Sequence, residues 1–326
     1  MQVRWVDAEG VHLSDPGDLR NGASRDGGFH WVDIPVWDEE ADALLESLGC
    51  HPMLRQSCAR RNLVPAVHGY DDHVFITALS PLAGEASHVH VLEIDQVIGT
   101  RFLVTVHGPF GPGVDPEEGG VETGSALHRM ETGRFLPTSP TELAYAITSA
   151  VARRQSAFVR EVATRLPGLE SEVMASEFRS PEALLEKMFL VRHELVTART
   201  MAAQSREVWI RMGEIGRLAD DPEASRSHDL ADQFDRVRSL ADGEAEFLFG
   251  VIELYQTKVH TKMTVAMERL AVIAAVTLPI TAIASIAGMN VVVGHRSNYE
   301  ALVVLLVIML AISLWLLRWA RRQGWW

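Results

Sequence analysis

Gly288, Met289 and Asn290 stand where a charge-free apolar run gives way to a short polar link, inside the stretch IASIAGMNVVVGHRSNY from Ile283 to Tyr299. A glycine commonly closes a helix, so Gly288 leaves the Asn290 carboxamide at a helix end. If copies of the chain gather around an axis, those amides present a ring of carbonyl oxygens. Such a ring can hydrogen-bond the water shell of a hard cation. Mg²⁺ gives up its waters reluctantly, so recognition of the hydrated ion is the chemistry that fits. A plain helix cap is the other reading of the amide.

Behind it, Thr264, Met267, Leu270 (or Ala271), Ala274, Leu278, Thr281, Ser285 and Gly288 recur at helical spacing and share one stripe. The stripe is small or weakly polar toward its outer end and apolar in the middle. Small residues let helices approach closely, and an apolar constriction gates a pore by dewetting. Ordinary helix packing is the alternative.

The elements that must hold these side chains are two apolar runs. No charge interrupts Leu270–Gly294, nor ALVVLLVIMLAISLWLL from Ala301 to Leu317. Each is within the length that spans a hydrocarbon core, and neither keeps the polar stripe of a helix in a water-soluble fold. Lys258, Lys262 and Arg269 precede the first run, and Arg318, Arg321 and Arg322 follow the second. Basic flanks stay cytoplasmic, so both termini are expected in the cytoplasm and the link outside. Trp315, Trp319, Trp325 and Trp326 suit the interface. The N-terminus, MQVRWVDAEG, has no apolar signal region.

Upstream, the 326-residue chain of net charge −13 reads as an α+β cytoplasmic domain. GFHWVDIPV, HVFITALSPL, SHVHVLEIDQVIG and RFLVTVHGPF read as strands of a mixed sheet ending near His107. DEEADALLESLG reads as a short helix ending at Gly49. GPFGPGVDPEEGGVETG reads as a loop, and lacks the Lys-Ser/Thr of a phosphate-binding loop. From about Pro140 the pattern turns helical, starting at a Thr138 or Ser139 cap, with a second helix from Pro181. DDPEASRS marks a turn. One long helix is then expected from near Asp229 to Gly288. The expected divisions are 1–138 (mixed α/β), 139–265 (helical) and 266–326 (membrane). In the last, the first span covers about 270–289, the outer link 290–300 and the second span 301–317. Cys50 and Cys58 fit no zinc spacing and read as reduced side chains. No nucleophile elbow, His-Glu-x-x-His or phosphate loop is present, so an enzyme is not expected, nor a nucleic-acid partner.

With these residues in view, the chain resembles the CorA family of divalent-cation channels, whose hallmark is Gly-Met-Asn at the end of the pore helix. MERLAVIAAVTLPITAIASIAGMN is similar to the family's whole pore helix, including Leu278-Pro279. HPMLRQSC, VPAVHGYDDHVFI, LVRHELVTAR, SREVW and the tail RWARRQGWW also resemble family segments. The resemblance implies a homopentamer in the cytoplasmic membrane. Its central pore would be lined by the first span, with Mg²⁺ (or Co²⁺ or Ni²⁺) as cargo and the bilayer as setting. It implies that Asn290 selects, that Gly288 and Met289 shape the mouth, and that Thr281 is a polar pore site. Met267, Leu270 and Leu278 would form the narrow apolar part, and Thr264 would stand where the family usually has a deeper Asn. Asp229 and Asp232 match an Asp-x-x-Asp segment that helps bind a regulatory divalent ion between subunits, and Glu85 is a candidate second acid. A solvated helix face is the other reading of those aspartates. The link VVVGHRSNY departs from the family's Met-Pro-Glu-Leu, placing His295 and Arg296 where an acid is usual.

The zinc-transporting ZntB branch of the same superfamily is the near alternative. Imidazole suits Zn²⁺, and His88 and His90 alternate on a strand, where with His68 and His73 they would make a cytoplasmic zinc site. A non-conducting membrane-anchored sensor or scaffold is the alternative of another class.

Overall fold

The computed structural model describes residues 1–20, 27–175, 181–215, 221–288 and 299–322. Two compact units emerge, Met1–Gly250 and Val251–Trp326. In the first, strands β1 (Gln2–Asp7), β2 (Gly10–Leu13), β3 (Gly28–Ile34), β4 (Ala66–Gly69), β5 (His73–Ala83), β6 (Val89–Gly99) and β7 (Phe102–His107) form one sheet. Their order is β2-β1-β3-β7-β6-β5-β4. The β3–β7 pair is parallel and the other neighbours are antiparallel, so the sheet is mixed. The helices are α1 (Pro16–Arg20), α2 (Glu39–Ser47), α3 (Pro52–Cys58), α4 (Pro116–Gly119), α5 (Val121–Glu131), α6 (Pro140–Ala163), α7 (Leu166–Met174), α8 (Pro181–Glu214), α9 (Asp221–Gly288) and α10 (Tyr299–Arg322).

Strand side chains alternate between faces, and the sheet is covered on both. Phe29, Trp31, Ile94, Ile98 and Leu103 pack with Leu143, Ile147 and Val151 of α6, Trp209 and Met212 of α8, and Leu230 and Phe234 of α9. The opposite residues, Val32, Ile34, Phe75, Val97, Val104 and Val106, pack with Leu44 and Leu45 of α2 and Leu54 and Cys58 of α3. Cys50 and Cys58 are both free and buried.

Three sequence expectations are corrected here. The Gly- and Pro-rich segment from Gly108 to Gly124 is not simply a loop: it contains α4 and the start of α5. Asp115 caps α4 by accepting from the Glu117 N–H at 3.0 Å, and Pro116 occupies the first turn, where a missing N–H costs nothing. DDPEASRS is helical from Asp221 onward, because Pro222 likewise falls in a first turn; α9 therefore begins eight residues before Asp229. Finally, β1 and β2 add two strands at the N-terminus, where charged Arg4 and Asp7 obscure the strand pattern.

Candidate ion pathway and its carboxylates

In the second unit, α9 and α10 are the described helices, and both are long and apolar enough to cross a membrane. Each shields one face. On α9 the covered positions are Val272, which is 7% exposed, with Val276, Pro279, Ile283 and Ala287 partly covered. On α10 they are Leu305, Met309, Ile312, Leu316 and Ala320. Both sets recur every three or four residues, so each forms one helical face, and each helix is the cover available to the other.

The predicted stripe lies on the other side of α9. Thr264, Met267, Leu270, Ala274, Leu278, Thr281, Ser285 and Gly288 are all exposed; Met267 reaches 58%, Leu270 65% and Leu278 67%. At about 100° per residue the stripe is centred about 180° from the shielded face. The Thr264 hydroxyl donates to the His260 carbonyl at 3.0 Å, and that of Thr281 to the Thr277 carbonyl at 2.8 Å. Thr277 does the same to Ile273 at 2.8 Å. Pro279 sits inside the helix. Met289, Asn290, His295, Arg296, Trp325 and Trp326 lie outside the described residues.

Asp229 and Asp232 are exposed on the part of α9 that belongs to the first unit. Asp229 is already engaged: Tyr145 of α6 donates its hydroxyl to Oδ2, and Gln233 Nε2 donates to the same oxygen at 2.7 Å. The Tyr145 hydrogen bond holds the Asp229 carboxyl below its usual range. Gln233 also reaches Ser149 Oγ at 3.3 Å, so the aspartate belongs to an α6–α9 network. Local sequence gives no sign of this, because Tyr145 and Asp229 are 84 positions apart. Glu85 is exposed in the short 3₁₀ turn before β6.

The four histidines do not come together, which corrects the proposed zinc cluster. His73 pairs with Gly99, whereas His90 pairs with Leu82. Nine residues of β5 therefore separate their rungs, about 30 Å at strand rise. His68 stacks on Phe75 and His73 on Tyr70, while His88 and His90 meet edge to face with ring centroids 4.7 Å apart. No group of three or more His, Cys, Asp or Glu that could hold a metal occurs among the described residues.

Among the described residues, the carboxylates pushed furthest from their usual range are in the sheet. Glu93 and Asp95 share one face of β6, beside Cys58, and both are buried. Asn62 donates to Glu93 through its backbone N–H at 2.6 Å and its amide at 2.7 Å; Thr77 Oγ1 donates to Asp95 at 2.7 Å. Burial, and then the neighbouring Asp95 charge, push Glu93 up to about 9. Burial also pushes Asp95 up to about 7. Across the sheet's parallel pair, Asp33 accepts from His107 Nε2 at 2.8 Å and Thr105 Oγ1 at 2.6 Å. Burial alone would raise Asp33, but these bonds hold it below its usual range.

Comparison with known proteins adds the remaining constraint. The family model described as CorA-like Mg2+ transporter protein matches residues 26–322. The cobalt/magnesium transport protein CorA of Thermotoga maritima is 20% identical over 267 residues, covering 81% of this chain and 71% of that protein. The complete CorA magnesium transporter structure from Methanocaldococcus jannaschii superposes with a TM-score of 0.80 at 18% identity, over 100% of this chain and 99% of that one. The ZntB cytoplasmic domain from Vibrio parahaemolyticus gives 0.59 at 10% identity, over 81% of this chain and 98% of that one. At these identities the structural likenesses speak for the fold.

Proposed function

The chain belongs to the CorA-like Mg2+ transporter protein family of membrane-bound divalent-cation transporters, and from that premise we propose that it passes Mg²⁺ through an axial pore built from several copies of α9. The observation that carries this reading is the exposed stripe from Thr264 to Gly288, turned away from the shielded face of α9. Hairpin packing alone leaves that stripe without a role; a ring of α9 copies gives it one. Cyclic symmetry supplies such a ring, and five copies are the number the family resemblance implies.

In this reading both termini are cytoplasmic and the ion enters at Asn290. The amide ring takes the hydrated ion by its water shell, since Mg²⁺ keeps its waters. Thr281 offers the next oxygen. Leu278, Leu270 and Met267 form a dry constriction that opens when the α9 copies move apart. Asp229 and Asp232 serve as the regulatory carboxylates. A metal arriving at Asp229 competes with the Tyr145 hydroxyl for Oδ2. The likeness to a ZntB cytoplasmic domain keeps Zn²⁺ as the second cargo. The separation of His68 and His73 from His88 and His90 favours Mg²⁺.

The test is ion entry into proteoliposomes that enclose Mg²⁺ and Zn²⁺ indicators, with wild type beside Asn290→Ala. Voltage-driven Mg²⁺ entry that falls at least tenfold in the variant is the expected result. Zn²⁺ entry that follows a proton gradient, with little Mg²⁺ entry, transfers the protein to the zinc branch. A folded oligomer that passes neither ion is a sensor or scaffold.

A further inference from the structure

A second site lies in the first unit, between α6 and α9. Ala152, Arg153, Ser156 and Arg160 of α6 face Gln233, Arg236, Val237 and Leu240 of α9 across an open cleft of about 560 Å³. The spacing on each helix puts these residues on a single face. Three guanidinium groups, a hydroxyl and an amide thus converge on one hollow, in a chain whose net charge is −13.

The other arginines of these two helices within the first unit show that the arrangement is selective. Arg154 is paired with Glu118 and Glu122, Arg226 with Glu142, and Arg238 with Asp235 and Asp242. None of the three lines the cleft. Arg153, Arg160 and Arg236 line it, and none of them has a carboxylate within ion-pair distance among the described residues. Arg160 donates instead to Ser156 Oγ at 2.8 Å. Arg153 is exposed, yet partial desolvation, and then the like charge of Arg129, hold its guanidinium below its usual pKa. No acidic side chain lines the cleft, and Asp229, just outside it, feels the charge of Arg236.

We propose that this cleft binds a polyphosphate group, carried by an inorganic or a nucleotide anion. Guanidinium forks match the oxygens of phosphate in pairs, and three of them call for a multiply charged oxyanion. Ser156 Oγ and the Gln233 amide add neutral polar contacts. The volume lies within the range of small-molecule sites. Gln233 links the cleft to Asp229 through its 2.7 Å hydrogen bond, so occupancy reaches the α6–α9 network directly.

The experiment is calorimetric titration of the full-length protein in lipid nanodiscs with pyrophosphate, then with ATP, in divalent-free buffer so that no metal bridges anion and protein. Saturable binding of about one anion per chain is expected, weakening as salt rises. The pair Arg160→Gln/Arg236→Gln should lose at least tenfold in affinity, as befits two charge-assisted bonds. Arg236→Lys alone, which keeps the charge, should lose less, and Arg238→Gln should change nothing. ATP binding more tightly than pyrophosphate identifies the nucleotide; equal affinity identifies the inorganic group. Absence of binding, or binding that the cleft variants leave unchanged while they remain folded by circular dichroism, overturns the proposal. So does a smaller oligomer in Arg160→Gln/Arg236→Gln with no anion bound by wild type, because the cleft then holds the carboxylates of a second copy.

Discussion

Glu93 and Asp95 point the same way from β6 into the layer beneath α2 and α3, where two charges cannot both be accommodated. The folded chain therefore keeps protons there that the unfolded chain releases. A folded pKa raised above its unfolded value means that stability is greatest on the acid side and declines as pH climbs. The window runs from the ordinary carboxylate range to about 9. The slope is up to about 1.4 kcal/mol per pH unit for each such group. His107, raised by its bond to Asp33 despite burial, works in the same direction. Asp33 itself, held low, matters only in acid. Urea unfolding at pH 6 and pH 8.5 should show the wild type less stable at the higher pH. Asp95→Asn should flatten that difference, since it removes the neighbouring charge and places a donor where Asp95 Oδ2 has no partner. An unchanged slope would disprove the shared-proton account. Among single residues, Asn290 was the one the sequence marked most plainly, by its place between two spans. The hold of Tyr145 on Asp229 was not legible, because it depends on α6 and α9 lying side by side.

At the scale of elements, α6 is the beam on which the Asp229 network and the arginine cleft both rest, and its start is well defined. Ser139 Oγ accepts from the Glu142 N–H at 3.2 Å, while Glu142 reaches back to the Thr138 N–H at 2.8 Å. This is a close variant of the reciprocal capping box. Ser139→Ala should cost about 1 kcal/mol and lower the melting temperature of the first unit by about 2–4 °C, read by scanning calorimetry. No shift would mean that the cap is redundant with the packing of Leu143 and Ile147. The sequence announced this helix through its cap, its proline and its 3.6-residue period. It concealed α4 and the start of α5, because glycines and acids there outweigh a periodicity too short to register. It also invited the grouping of four histidines, because alternation along one strand says nothing about the register of its neighbours.

For the whole molecule, the two apolar runs were legible from length and lack of charge alone; the change from sheet to helices was read near Pro140, whereas the helices that follow the last strand begin at Pro116. How many chains assemble was not, since every described contact is within one copy. The proposed pore demands a ring of α9 copies: mass measurement of the protein released from nanodiscs should give the five that the family resemblance implies, and a stable monomer or dimer would leave the stripe facing lipid and remove the pore. Thr264, Thr277 and Thr281 have one more consequence. Each turns its hydroxyl hydrogen inward to a carbonyl of its own helix, four residues back. What remains outward is lone pairs. In the proposed pore, these threonines would discriminate by sign before size: they have oxygen to offer a cation and no hydroxyl hydrogen to offer chloride.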